Sequence, residues 1–235
     1  MPSMAVRRVV LWDVDHTLID TGGVGRELSA RAFERTTGIP MREQATIDGI
    51  TEAVIFRETS KLHGLTTTRD DFEKFAEALT AAHVESSEEL RARGHGLAGA
   101  AAVLDRLART PDVTQTVVSG NVRAVAKIKL NVFGLDRHIV WECGAYGEDA
   151  DERADLVRVA LRRATEHLGR DLTPQDAVVI GDTPADVSAA LEVGVPLIAV
   201  ASGRFSAEDL RAAGASRVVS DLRDAEQIAH WVTAA

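Results

Sequence analysis

The chain has 235 residues, enough for one large domain or for one domain that carries a smaller inserted one. Hydrophobic residues make up 45% of the sequence and charged residues 27%, the balance of a globular protein with a buried core. The formal net charge of -9 argues against binding to nucleic acid, because an acidic surface repels a phosphate backbone, and no apolar stretch is long enough to predict a membrane span. The single cysteine, Cys143, excludes a disulfide within the chain and favours a cytoplasmic location.

Short apolar runs alternate with segments of helical periodicity over most of the chain. Helical spacing over about 98–108 and over about 153–168 predicts two of the intervening helices. Strands that alternate with helices predict an α/β fold, with a Rossmann-like parallel sheet and right-handed crossovers. The runs that we interpret as buried parallel strands are 9–12, 116–118, 139–141, 177–180, 197–200 and 217–219.

Residues 21–93 interrupt this alternation, because they hold three helical patterns and no convincing strand. The clearest pattern begins after Thr68, a residue type that often caps helices. Glycines at 22–23 and at 94–96 flank the segment and indicate either two hinge strands or ordinary turns. The predicted organisation is therefore a core domain of residues 1–20 and 96–235 and an all-helical cap domain of residues 21–95.

Polar side chains follow three of the predicted strands. Asp13 and Asp15 follow the first strand, Ser119 follows the second, and Asp182 and Asp186 follow the fourth. Each alone suits a helix cap, but together they converge on the carboxyl edge of the sheet, where open α/β proteins bind ligands. Carboxylates this close repel unless a cation or a proton lies between them. Because no His or Cys with metal-ligand spacing accompanies them, these hard oxygen ligands favour Mg²⁺ over zinc.

These segments resemble a known family. Residues 13–18 (Asp-Val-Asp-His-Thr-Leu), 119–121 (Ser-Gly-Asn) and 181–186 (Gly-Asp-Thr-Pro-Ala-Asp) resemble the ordered motifs of the haloacid dehalogenase superfamily. The resemblance covers the whole chain, and the helical insert after the first motif is similar to the superfamily's helical-cap branch. Further likeness to its phosphoglycolate-phosphatase-like hydrolases comes from residues 48–52, 129–135 and 147–153. The resemblance implies a Mg²⁺-dependent phosphatase that acts on a small phosphate monoester through an aspartyl phosphate.

The resemblance also implies roles for individual residues. Asp13 would attack phosphorus, while Asp15 would protonate the leaving alcohol and then deprotonate the hydrolytic water, as one acid–base group can do in two half-reactions. Thr17 would brace the loop. Mg²⁺ would be held by the Asp13 carboxylate, the Asp15 carbonyl oxygen and Asp182, with Asp186 acting nearby or through water.

Substrate binding is expected from the second motif and from one unusual residue of the first. Ser119 and the backbone N–H that follows it would bind phosphate oxygens, and Gly120 and Asn121 complete that turn. His16 stands where the family usually has glycine. It either faces solvent or touches the substrate.

The family's phosphate-binding lysine often lies in a Gly-Lys-Pro segment, which this sequence lacks. Arg153 lies near the start of a predicted helix on the correct edge of the sheet. Lys129 lies about two turns into its helix, roughly 10 Å from that edge at 1.5 Å per residue. We favour Arg153 as the catalytic and substrate-binding cation. The alternatives are a surface ion pair for Arg153 and a solvated helix face for Lys129.

The substrate is expected to be a small phosphorylated metabolite, and the protein is expected to be a monomer. In the cap, residues 46–52 form either a specificity loop or an ordinary turn that Gly49 permits. A phosphomutase of the same superfamily, acting on a sugar phosphate, is the alternative function. A dehalogenase is disfavoured, because its chemistry does not need the acid–base carboxylate of Asp15.

Overall fold

A parallel sheet of five strands forms the centre of the protein in the computed structural model, which describes residues 8–46 and 49–234. Across those residues the strands are β1 Arg8–Trp12, β2 Ile19–Asp20, β3 His95–Gly96, β4 Val113–Val117, β5 Ala177–Gly181, β6 Leu197–Val200 and β7 Val218–Val219. The helices are α1 Val24–Thr37, α2 Glu52–Leu62, α3 Arg69–Glu85, α4 Ser87–Arg93, α5 Ala100–Ala108, α6 Arg123–Val132, α7 Arg153–Leu168, α8 Pro184–Val193, α9 Ala207–Ala212 and α10 Ala225–Thr233.

The sheet has the strand order β4-β1-β5-β6-β7, and every neighbouring pair is parallel. Side chains alternate across β1, so Val10 and Trp12 pack with α5 and α10 on one face. Val9 and Leu11 pack with α7 and α8 on the other face. Because helices cover both faces, β5 and β6 are apolar and β1 is apolar after Arg8, and the predicted α/β fold is confirmed.

The predicted strand at 139–141 is wrong. Ile139 makes one isolated bridge to Gln115 of β4, and the chain then turns through a short 3₁₀ helix at Trp141–Cys143 before Ala145 bridges Val118. The run is apolar because it covers the edge of the sheet, but the intervening turn prevents a continuous ladder. An apolar run alone does not distinguish these two arrangements.

The segment between β2 and β3 is helical wherever the structure describes it. Helices α1 to α4 lie there, one more than the three helical patterns in the sequence, and Thr68 caps α3 through a capping box with Asp71. Strands β2 and β3 pair antiparallel, so the chain leaves the sheet domain and returns to it through one two-stranded hinge. Phe33, Phe56 and Phe75 form part of a separate apolar cluster that also includes residues of α6.

None of the helices in the described part of the chain combines the length and the apolar character that crossing a membrane requires.

We predict that Gly22→Ala destabilises the hinge more than Gly38→Ala destabilises the end of α1. Both glycines have left-handed backbones, with φ of 59° and 72°, so each alanine carries a strain of about 1–2 kcal/mol. A Cβ at Gly22 would also lie 2.4 Å from the Arg93 carbonyl oxygen, whereas a Cβ at Gly38 meets nothing within 4 Å. Urea unfolding of both variants measures the difference, and equal losses of stability would contradict the close contact at Gly22.

Candidate active site

Three buried carboxylates meet at the carboxyl edge of the sheet. Asp13 directly follows β1 and Asp182 directly follows β5, and these strands are paired in register at Trp12 and Ile180. Asp186 lies in the first turn of α8. One oxygen from each carboxylate lies within 4.8 Å of the others, and all three residues are buried.

Burial and the repulsion between neighbouring carboxylates raise the pKa values of Asp13 and Asp182. Burial raises the pKa of Asp13 to about 6, against the attraction of Arg153 and with a contribution from Asp186. Burial together with the charges of Asp13 and Asp186 raises the pKa of Asp182 to about 8. A divalent cation would remove this penalty. Because the cluster consists of hard oxygen donors, it fits Mg²⁺.

Asp186 has little capacity left for direct metal binding. Its Oδ2 accepts hydrogen bonds from the Thr183 backbone N–H at 3.1 Å and hydroxyl at 2.7 Å, which cap α8. Its Oδ1 accepts from Arg153 Nε at 2.9 Å. The geometry therefore favours contact with a cation through water.

Arg153, the first residue of α7, extends into this cluster. Its Nη2 lies 2.5 Å from Asp13 Oδ1 and 2.7 Å from Asp186 Oδ1, and it also donates to the Val118 carbonyl oxygen. The side chain is buried, so the alternative of a surface ion pair is wrong. Arg153 therefore supplies positive charge directly beside the predicted nucleophile.

Lys129 also reaches the site, which the sequence-based distance did not predict. Its Nζ lies 2.8 Å from both carboxylate oxygens of Asp15 and 2.7 Å from Asn121 Oδ1. The Asn121 amide donates to Asp15 Oδ2 at 2.6 Å. Burial favours the neutral acid, but Lys129 and Asn121 outweigh it and lower the pKa of Asp15. Lys129 is buried, so the alternative of a solvated helix face is wrong.

Hydrogen bonds hold the remaining residues of the first and second motifs. The Thr17 hydroxyl lies 3.1 Å from Asp182 Oδ1 and 3.4 Å from Asp13 Oδ2, so it spans the two carboxylates. Ser119 Oγ accepts from the Asn121 backbone N–H at 3.2 Å and from its side-chain amide at 2.8 Å. The Asn121 side chain thus forms hydrogen bonds with Asp15, Ser119 and Lys129.

His16 adopts a left-handed backbone with φ of 59°, which explains why glycine suits this position. Histidine is one of the side chains that tolerate this region. The residue is exposed, and its carbonyl oxygen accepts a hydrogen bond from the Ser202 hydroxyl at 2.6 Å. The residue borders the cavities on both sides of Asp15.

The loop of the helical insert that precedes α2 packs directly on the motif turns. The Glu52 backbone N–H donates to the Gly120 carbonyl oxygen at 2.8 Å. A Cβ at Gly120 would lie 2.3 Å from the Ile50 carbonyl oxygen, and a Cβ at Gly49 would lie 2.3 Å from the Cβ of Ala185. Ile47 and Asp48 of the predicted specificity segment lie outside the described residues. The rest of that segment covers the edge of the sheet.

Glu52 is a site residue that the sequence did not single out. It borders the cavities on both sides of Asp15. Burial raises the pKa of Glu52 to about 7; the Lys129 ammonium opposes this rise, and the Asp15 and Glu148 carboxylates add to it. Glu52 belongs to residues 48–52, which are similar to phosphoglycolate-phosphatase-like hydrolases. Nothing in those residues distinguishes Glu52 from a glutamate on the protein surface.

The predicted residues surround one small cavity of about 100 Å³. Its walls include both carboxylates of the first motif, the Ser119 turn, Arg153 and the carboxylates after β5. The cavity thus combines the buried carboxylate of Asp13, which Arg153 contacts, with the carboxylate of Asp15, which Asn121 contacts, and with the hydroxyl group of Ser119. Such a set is suited to binding an anion and attacking it.

Comparisons with known proteins agree with this architecture. A family model described as haloacid dehalogenase-like hydrolase matches residues 10–191, well over half of the chain. A hydrolase from Pseudomonas syringae aligns with a TM-score of 0.65 and 21% identity, over 94% of this chain and 96% of that one. A predicted phosphatase from Clostridium acetobutylicum aligns with a TM-score of 0.63 and 21% identity, over 96% and 99%.

A candidate β-phosphoglucomutase from Bacteroides vulgatus aligns with a TM-score of 0.65 and 20% identity, over 99% of this chain and 91% of that one. The comparison with curated proteins found no match. At such low identities the solved structures establish the shared fold.

We predict that Glu52→Gln stabilises the protein increasingly as the pH rises. The folded-state pKa of Glu52 is raised from 4.5 to about 7, so ionisation costs stability. That cost is absent below about pH 4.5, grows as the pH rises, and is complete above about pH 7, with an upper bound of roughly 3 kcal/mol. Thermal unfolding of both proteins across this range measures the gain.

Glu58→Gln is the matched control, because Glu58 lies on the same helix and Lys61 lowers its pKa. The control is expected to show no gain in stability at high pH. A Glu52→Gln gain that does not change with pH would show that Glu52 ionises normally in the folded protein.

Proposed function

The chain belongs to the haloacid dehalogenase-like hydrolase family, and we propose that it is a magnesium-dependent phosphatase with Asp13 as its nucleophile. The observation that carries this proposal is the small cavity that Asp13 and Asp15 both border. There Arg153 contacts Asp13, and Lys129 contacts Asp15. The substrate would be a small phosphorylated metabolite in the cytoplasm. Residues 21–95 would form a cap over a core of residues 1–20 and 96–235.

In the first half-reaction, a phosphate monoester binds with its phosphoryl oxygens toward Ser119, the backbone N–H of Gly120 and Arg153. Arg153 offsets the repulsion between the substrate and Asp13. A carboxylate oxygen of Asp13 forms a bond to phosphorus as the bond to the ester oxygen breaks. Asp15 gives its proton to that oxygen, so the alcohol leaves neutral.

In the second half-reaction, water attacks the phosphorus of the aspartyl phosphate and gives a proton to Asp15. The bond to Asp13 breaks, which restores its carboxylate and releases inorganic phosphate. The lowered pKa of Asp15 beside Lys129 suits this basic role. In the acidic role, the bound phosphoryl group brings negative charge close to Asp15 and raises its pKa again.

Asp13, the Asp15 carbonyl oxygen and Asp182 would hold Mg²⁺, with Asp186 acting through water, and the bound ion would offset charge on the nucleophile and the phosphoryl group. The same residues would serve a phosphomutase, in which a sugar hydroxyl accepts the phosphoryl group instead of water. Release of inorganic phosphate separates the two functions.

We predict that the wild-type protein releases phosphate from 4-nitrophenyl phosphate and that Asp13→Asn abolishes this release. Asp15→Asn should lower the rate by about 100- to 10,000-fold, since it removes one acid–base group. EDTA should stop turnover, and added Mg²⁺ should restore it. Activity that survives exhaustive chelation, or an Asp13→Asn variant that folds and stays active, would refute the proposal.

We predict that Arg153→Ala lowers kcat/KM by about 1,000-fold or more, because a clamping cation beside the transferred phosphoryl group is lost. Lys129→Ala should lower it by a much smaller factor, since Lys129 contacts Asp15 and not Asp13. Arg153→Lys is the matched variant. It keeps the positive charge but loses the guanidinium group that contacts Asp13 and Asp186 together, so it should retain intermediate activity. If Lys129→Ala lowers kcat/KM more than Arg153→Ala does, Lys129 and not Arg153 is the cation that stabilises the transferred phosphoryl group.

A further inference from the structure

A second cavity, of about 120 Å³, lies on the far side of Asp15 between the sheet domain and the helical insert. Asp15, His16, Glu52 and Asn121 border both this cavity and the one beside Asp13. If the proposed function is right, the alcohol part of a phosphate ester at Asp13 extends past Asp15 into this space. The inference below rests on that function and concerns what the space accepts.

His83 of α3 lines this second cavity, and one hydrogen bond fixes the tautomer of its ring. Nδ1 lies 2.9 Å from the Leu79 carbonyl oxygen, which only accepts, so Nδ1 carries the hydrogen. Nε2, at the outer end of the ring, is then an acceptor. Burial, with repulsion from Lys129, lowers the pKa of His83 to about 4, so the ring is neutral near pH 7.

The Nε2 atom is buried and has no hydrogen-bond partner among the described residues. A buried acceptor without a partner costs stability, and such atoms are rare in folded proteins. His83 as a whole is only 1% exposed, so bulk water does not solvate it. A donor brought in by a ligand would satisfy this acceptor.

The other groups around the second cavity indicate a neutral, hydroxylated ligand. Thr21, Ser29 and Gln44 contribute uncharged polar side chains. Lys129 is already bonded to Asp15 and Asn121, so its charge is largely compensated. Arg26 also borders the cavity but is exposed.

We propose that this cavity binds the alcohol part of the substrate, that this part carries a free hydroxyl group, and that His83 Nε2 accepts a hydrogen bond from that hydroxyl. The substrate class is the phosphate monoester of a small polyol. His83 is then a specificity-determining residue that touches the substrate away from the reacting atoms.

The test compares glycerol 3-phosphate with n-propyl phosphate, which has the same carbon chain without the hydroxyl groups. The wild type should favour glycerol 3-phosphate in kcat/KM by about tenfold or more, the value of one buried hydrogen bond. His83→Phe should bring the ratio close to one, because kcat/KM should fall far more for glycerol 3-phosphate than for n-propyl phosphate. Its melting temperature should change little, because the variant removes the unsatisfied acceptor Nε2 together with the Nδ1 hydrogen bond to the Leu79 carbonyl oxygen.

His83→Gln is the second variant, because its amide oxygen keeps an acceptor and should retain part of the preference. Equal losses on both substrates in the two variants would show that His83 only supports the fold, and would overturn the inference. A wild type that prefers 2-phosphoglycolate to both esters, with no dependence on His83, would overturn it as well. Hydrolysis of 4-nitrophenyl phosphate that requires Asp13 would show in either case that the proposed function itself still holds.

Discussion

Electrostatic repulsion among three buried carboxylates is the constraint that organises the site. Asp13, Asp182 and Asp186 place oxygens within 4.8 Å of one another at the edge of the sheet, where little water screens them. Arg153 contacts two of the three, and the Thr17 hydroxyl spans Asp13 and Asp182. Removing one member of such a group leaves the others uncompensated, so these residues form one electrostatic unit.

The two carboxylates of the first motif have different environments although they are two residues apart. Burial and the neighbouring acids raise the pKa of Asp13 against the attraction of Arg153, whereas Lys129 and Asn121 lower the pKa of Asp15 against its burial. A carboxylate nucleophile must be ionised and a general acid must carry a proton. The proposed roles therefore require a bound cation that lowers the pKa of Asp13 and a bound phosphoryl group that raises the pKa of Asp15.

Local patterns in the sequence were enough to predict the five parallel strands and the acidic edge, but they also predicted a strand at 139–141 that the structure does not form. Strand direction places Asp13 and Asp182 together once their strands are recognised. The bounds of α7 were also predicted, and with them the position of Arg153 at its first turn. The contact of Lys129 with Asp15 was missed because the rise along α6 counts only the position of the backbone. A lysine side chain is long and leans towards the start of its helix, which lets Nζ reach Asp15. His83 and Glu52 were missed because each borders a cavity beside Asp15 only through the docking of the insert, which no local pattern encodes.

The close approach of Ile50 to Gly120 joins the helical insert to the turn after β4. The Ile50 carbonyl oxygen lies 2.3 Å from the position that a Cβ at Gly120 would take, and the Gly120 carbonyl oxygen accepts a hydrogen bond from the Glu52 backbone N–H. Gly120 does not have a left-handed backbone, so its own conformation does not require glycine. Glycine at this position instead makes room for another part of the chain, and any larger residue would separate the loop from the turn and carry Glu52 away from the site.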